Sequence, residues 1–213
     1  MKEERYLVRH GVTLYLDVGA NAGQTGQRLR QEGYAGRIAS FEPIAAVFAR
    51  LQAAADDPDW AVHHTGVGDR DGTATIGVSE NFVSSSILPA TDRLLAIHAP
   101  VRQARQEEIS IARLDTVAPA LIRPGDTVCL KIDTQGFERA VIEGAAGVLD
   151  RILLVRMEVA VHEVYAGEMT VAEAISLMAD RGFGLIEAWP AWRHPDTAEV
   201  LHFDLFFRAG APD

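Results

Sequence analysis

Two hydrophobic periods alternate along this chain. Short apolar runs at Leu14–Val18, Arg37–Phe41, Trp60–His64, Val128–Ile132 and Ile152–Val159 predict strands. Amphipathic stretches at 22–32, 45–55, 137–149 and 170–181 predict helices. Strand and helix in turn predict an open, mostly parallel α/β sheet with helices on both faces. Gly33 and Gly36 bracket one turn, Asp56-Asp57-Pro58 stops one helix, and Gly182 stops another. From Gly66 to about Ser110 the alternation breaks. Thr73–Val78 reads as an extra strand after an Asp71-Gly72 turn, Asn81–Ser86 as a polar loop, and Ile109–Ile111 as a strand that pairs back. A short helix is expected from Asp115, and Gly184–Ala188 with His202–Phe207 predict a terminal antiparallel hairpin. The chain is read as one domain over 1–213 with a segment inserted at about 70–110.

In such sheets ligands sit beyond the carboxyl ends of the strands, where the strand order reverses. Asp17, Glu42, Asp133, Glu158 and Asp204 all fall at or near predicted strand ends, and several acids on one edge are costly unless they bind something. The most informative corner is Leu14-Tyr15-Leu16-Asp17-Val18-Gly19-Ala20-Asn21-Ala22-Gly23. There an apolar strand enters a small-residue turn, and the helix beyond points unpaired N–H groups at whatever binds. A dinucleotide fingerprint wants glycine where Asn21 stands, so that a pyrophosphate can approach, and Asp17 would oppose that pyrophosphate. Glu42, about 20 residues on, is placed for ribose hydroxyls. S-adenosylmethionine, with a ribose, an adenine, a cationic sulfur and no phosphate, fits this set better than NAD.

Composition narrows the partners. A net charge of −10, spread along 213 residues, argues against nucleic acid. The single cysteine, Cys129, lies in an apolar run and reads as an inert buried thiol. The start Met1-Lys2-Glu3-Glu4-Arg5 has no signal-peptide core and no stretch has the apolar length of a membrane span, so the expected location is cytoplasmic.

These residues also carry a family likeness. Leu16 to Gln24, Ser40-Phe41-Glu42-Pro43, Gly66-Val67-Gly68-Asp69 and Ser84-Ser85-Ser86 resemble segments of the FkbM-type S-adenosylmethionine-dependent methyltransferases. So do Leu130-Lys131-Ile132-Asp133-Thr134-Gln135-Gly136-Phe137-Glu138, Met157-Glu158, Tyr165-Ala166-Gly167 and Asp204-Leu205-Phe206-Phe207-Arg208. The resemblance runs from about Gly11 to Arg208, and the Lys-Ile-Asp-Thr-Gln-Gly segment is its most specific part. It implies a Rossmann-like class I methyltransferase fold, a seven-stranded mostly parallel sheet with a C-terminal antiparallel hairpin. It also implies O-methylation of a hydroxyl on a glycan sugar or a secondary metabolite. The cofactor residues it implies are Asp17, Gly19, Ala20, Asn21, Gly23, Glu42 and Pro43, with Gly66, Val67 and Asp69 near the adenine and Asp133 beside the methyl group.

Methyl transfer to an alcohol needs alignment and a group to take the hydroxyl proton. Asp133 is the first candidate, either as base or, with Glu158, as ligand to a divalent ion such as Mg²⁺. Glu158 interrupts an apolar strand, and Arg156 is read as facing away from it. His162 is a further candidate base, while His202 departs from the glutamine common in the family. Lys131 reads as a buried structural partner of a strand-end acid. Asn81, Ser85, Gln135 and Tyr165 are read as acceptor-contacting. The residues before Leu14 are too few for a helical cap, so a lid is expected from the insertion, from the loop Trp189–Asp196, or from a second subunit of a homo-oligomer. The rival readings are an NAD-dependent oxidoreductase and a non-catalytic cofactor-binding module.

Overall fold

The computed structural model describes residues 3–98 and 101–210. Two residues of the predicted insertion, 99 and 100, and the start of the N-terminal segment, Met1 and Lys2, lie outside the described residues. In chain order the elements are α1 (Glu3–Arg9), β1 (Leu14–Val18), α2 (Gln24–Glu32), β2 (Arg37–Phe41), α3 (Ala45–Ala54) and β3 (Trp60–His63). Then come β4 (Gly66–Gly68), β5 (Gly72–Ser79), α4 (Asp92–Ile97), β6 (Gln103–Arg113), α5 (Leu114–Val117) and β7 (Val128–Ile132). The chain ends with α6 (Glu138–Glu143), β8 (Ile152–Ala160), α7 (Val171–Ala179), β9 (Phe183–Arg193) and β10 (Val200–Ala209).

All five residues of β1 are buried, because the strand lies mid-sheet with helices on both sides. Leu14, Leu16 and Val18 pack with Leu114 of α5, Ile142 of α6 and Met178 of α7. Tyr15, on the opposite face, packs with Leu7 of α1, Leu29 of α2 and Leu51 of α3. The seven-stranded sheet runs β3-β2-β1-β7-β8-β10-β9. Its first five strands are parallel, and β10 lies antiparallel to both β8 and β9. Strand order therefore reverses between β1 and β7, and the crevice opens above Gly19 and Asp133. The inserted segment forms a separate three-stranded sheet, β4-β6-β5. Ile76, Val78, Ile109 and Ile111 of that sheet pack on Ile44 and Val47 at the start of α3, beside the tip of β2.

Several elements differ from the sequence expectation. Helix α1 was not expected. Alone, seven residues would be a marginal helix, but its buried Glu3 accepts hydrogen bonds from Tyr15 Oη (2.7 Å), Arg28 (2.6 Å) and Arg156 (2.6 Å). The helix expected to reach 149 stops at Glu143 and gives way to turns at Gly144, where a Cβ would sit 1.8 Å from the Gly68 carbonyl oxygen and only glycine fits. The expected lid loop from Trp189 is instead strand as far as Arg193. Pro190 is tolerated because β9 is the outer strand, and the remaining loop is only 194–199.

Gly19 marks the closest approach in the crevice. Its φ is +73°, and a Cβ there would lie 1.9 Å from the Asp133 carbonyl oxygen. Gly33 has φ +97° with nothing within 4 Å of the same position. Gly33→Ala should cost about 1–2 kcal/mol, the left-handed backbone penalty alone. Gly19→Ala should cost at least about 2 kcal/mol more, because β7 must also move. Urea denaturation of the two variants beside the parent protein measures the difference; equal losses would show that the approach is not tight.

Candidate active site

The polar residues of this crevice form a row across neighbouring strands. Register pairs Ser40 of β2 with Asp17 of β1, Asp17 with Lys131 of β7, and Lys131 with Arg156 of β8. Lys131 Nζ lies 2.9 Å from Asp17 Oδ1, 2.9 Å from the Gly19 carbonyl oxygen and 3.6 Å from Asp133 Oδ2. Burial works against its charge, but Asp17 and Asp133 outweigh that and raise its pKa. Arg156 is tied to Glu3 and, through two nitrogens, to Asp204. The expectation that Arg156 faces away from Glu158 is corrected, since residues two apart on a strand share a face. Leu154 packs in the Tyr15 cluster, whereas Val155, Met157 and Val159 pack in the opposite one.

Two adjoining cavities open at these strand ends. The first, of about 260 Å³, lies under the tips of β1 and β2. Of the cofactor candidates, Gly19, Ala20, Asn21, Glu42, Pro43, Gly66, Val67 and Asp133 line it. Asn21 takes φ +49° in the turn, and its Oδ1 accepts from Ala22 N (2.7 Å) and Gln24 Nε2 (3.1 Å). Glu42 accepts from the backbone of Ile44 through Oε1 (2.8 Å) and of Asn21 through Oε2 (3.1 Å), leaving lone pairs on both oxygens. Burial pushes its pKa up to about 7 despite those bonds.

Three candidates for the first cavity lie elsewhere. Asp17 is fully buried behind the turn, and its charge is met by Lys131. Gly23 caps α2 and packs on Leu51, Ala54 and Trp60. Asp69 pairs with Arg70 at the surface and does not line the cavity. Each follows from strand or turn geometry: a side chain two residues before the corner points into the helix layer, not over the strand end.

The second cavity, of about 360 Å³, is lined by Asn81, Ser84, Glu158, Tyr165, Trp192 and His202 among others. It shares Val83, Asp133 and Gln135 with the first. Gln135 donates to Asp133 Oδ1 (2.9 Å), and Tyr165 Oη lies 3.1 Å from both Gln135 Oε1 and the Ser84 carbonyl. Burial works against ionising Asp133, yet the Lys131 ammonium and the bond from Gln135 hold its pKa below the usual range. Burial and then the Asp133 charge push the Glu158 pKa well above the usual carboxylate range. The loop at 80–85 roofs both cavities. Ser85 faces the first, and Phe82 stands at its mouth with the Arg50 and Arg105 guanidinium groups 5.3 and 5.8 Å from its ring.

Sequence reading gave little weight to His202 and did not bring it together with Trp192; it set His162 beside Asp133. His162 is exposed and lines neither cavity. The signal for His202 was hidden, because β10 and β9 slip register at Val200/His202 and again at His202/Phe203. Such bulges re-aim side chains, and here they set Trp192 stacked on His202 with ring centroids 5.6 Å apart. The suggested Mg²⁺ site does not fit. Among the described residues no three His, Cys, Asp or Glu side chains converge for a metal.

Replacing Lys131 by methionine would strand Asp17 in the sheet, a loss of about 3–5 kcal/mol for breaking a buried pair. Adding Asp17→Asn should return a large part of that loss. A double-mutant cycle by denaturation checks this, and simple additivity would show that the two groups are not coupled.

Comparison with known proteins follows this geometry. No curated protein sequence matches the chain. Among solved structures it is similar in fold to magnesium protoporphyrin IX methyltransferase from Synechocystis with bound S-adenosylmethionine (TM-score 0.53, 11% identity, 97% of this chain and 76% of that one). It is likewise similar to 1,6-didemethyltoxoflavin-N1-methyltransferase from Burkholderia thailandensis, with bound 1,6-didemethyltoxoflavin and S-adenosylhomocysteine (TM-score 0.51, 12% identity, 98% and 76%). Both likenesses concern the fold. A model of the methyltransferase FkbM domain matches residues 17–185, from the end of β1 to the start of β9, and the chain belongs to the FkbM methyltransferase family.

Proposed function

We propose that this protein is an S-adenosylmethionine-dependent O-methyltransferase that acts on a hydroxyl of a small molecule or glycan. The observation that carries the reading is the pair of cavities meeting at Asp133 and Gln135. Two differently lined chambers with one shared wall suit a donor and an acceptor held side by side, the positioning that lowers such barriers most.

The first cavity suits the cofactor chemically. Glu42 offers free lone pairs at the tip of β2 for two ribose hydroxyls. Ile44, Val67 and Phe137 supply apolar walls of the kind an adenine needs. The turn at Gly19–Asn21 allows close backbone approach. When bound, the cofactor supplies a methyl group made electrophilic by a cationic sulfur. Since Asp17 is committed to Lys131, the carboxylate available to face that charge is Asp133. Asp133 also lines the acceptor side, where it would accept a hydrogen bond from the hydroxyl and draw its proton. Gln135 fixes the Oδ1 oxygen of Asp133, and Glu158 lines the wall beside it. The loop at 80–85 supplies lining residues to both chambers. The two methyltransferases of similar fold, one with S-adenosylmethionine and one with S-adenosylhomocysteine bound, support the choice of cofactor.

Calorimetry tests this. S-adenosylhomocysteine should bind and NAD should not; tighter binding of NAD would end the reading. Glu42 must be ionised to accept two hydroxyls, and its pKa stands at about 7 in the free protein. Affinity should therefore be level above pH 7 and fall toward about tenfold per unit below it. Glu42→Gln should bind more weakly with a flat profile. Asp133→Asn should keep the cofactor and lose about 10²–10⁴-fold in transfer to any hydroxyl acceptor.

A further inference from the structure

The second cavity has an unusual charge inventory for its size. Among the described residues, no lysine or arginine lines it. The cations behind its wall are committed, Lys131 to Asp17 and Asp133, and Arg156 to Glu3 and Asp204. Two carboxyl groups, Asp133 and Glu158, face the space instead. A phosphate or carboxylate entering here would meet a buried negative charge and find no counter-ion, which low-dielectric surroundings make costly.

What the cavity does offer is a flat apolar face beside unpaired hydrogen-bonding groups. Trp192 is half-buried, and its ring is held between His202 and His98, at 5.6 and 6.0 Å between centroids. His202 is 93% buried by its 7% exposure, and its Nδ1 has no partner among the described residues. Burial lowers its pKa to about 4, so at neutral pH the ring is uncharged, with one nitrogen to donate and one to accept. The His202 ring lines the cavity, where its polar edge can exchange hydrogen bonds with a hydroxyl. The Asp133 and Glu158 carboxyl groups lie on the same wall.

The geometry points to an acceptor that is a hydroxylated ring bearing no phosphate or carboxylate, stacked on Trp192 and hydrogen-bonded by His202, with these two residues and Asp133 setting that selectivity. This rests on the reading of the second cavity as the acceptor chamber. A polyhydroxylated ring matches it because such rings carry an apolar C–H face and a rim of groups that both donate and accept. An anionic ring of the same size matches in shape and fails on charge.

The test uses the full chain saturated with S-adenosylhomocysteine, whose binding is first measured by calorimetry. Methyl glucoside, methyl galactoside and methyl mannoside are then titrated by saturation-transfer NMR, beside the 6-phosphates of the same hexoses and glucuronate. At least one neutral hexoside should bind, and its anionic counterpart should bind at least about tenfold more weakly. Trp192→Ala should weaken the neutral ring about fivefold or more, Trp192→Phe should restore it, and Asp133→Asn should narrow the gap between neutral and anionic rings. Calorimetry on each variant confirms that the cofactor site is folded. Equal or tighter binding of an anionic hexose overturns the inference. So does the failure of every neutral ring to bind the loaded protein, or an unchanged affinity in Trp192→Ala. If S-adenosylhomocysteine itself does not bind, the proposed function falls instead.

Discussion

The Lys131 ammonium ties the two halves of the sheet together at the point where strand order reverses. It reaches Asp17 on β1, the carbonyl of Gly19 in the turn beyond, and Asp133 at the end of its own strand. A buried ion pair of this kind contributes little net stability, because desolvating both charges offsets their attraction. Its effect is positional. Gly19 is drawn so near Asp133 that only a hydrogen fits between them, and both cavities inherit their shared wall from that approach.

The same ammonium sets the protonation of the crevice. Asp133 and Glu158 are two carboxyl groups in one partly buried space, and two negative charges there would repel strongly. Lys131 lies 3.6 Å from Asp133 and lowers its pKa, while burial and the Asp133 charge raise that of Glu158. Arg156, held by Glu3 and Asp204, acts in the same sense, its charge also lowering the Asp133 pKa. The N-terminal helix thus bears on the crevice by holding Arg156 through Glu3.

Much of the fold was legible because burial on both faces leaves a plain mark, a predominantly apolar run, and β1, β2, β7 and β8 all carry one broken only by a polar residue or two. The corner at Gly19 to Asn21 and the tip at Glu42 were legible for a related reason: strand ends fix which residue faces the ligand side. Asp17 shows the limit of that logic. Its place two residues before the turn suggested a ligand-facing carboxylate, but strand alternation carries it into the layer under α2, where only the three-dimensional register reveals Lys131 opposite. Helix α1 was hidden because its stability is tertiary. The ends of β9 and β10 were hidden because their bulges break the alternation from which a face is read.

Those bulges also shape the wall of the second cavity. Extending β9 through Trp189–Arg193 spends residues that a looser chain would use as a loop. In exchange, the double slip in register turns Trp192 and His202 toward the same cavity and stacks them. The wall is then part of a hydrogen-bonded sheet, and its side chains lose little freedom when a ligand arrives. The roof, by contrast, is the loop at 80–85, held by Asn81, Tyr165 and the contacts of Phe82 rather than by strand pairing. Wall and roof thus differ in how they are built, one from paired strands and the other from a loop, and both are consequences of where the sheet stops and the insertion begins.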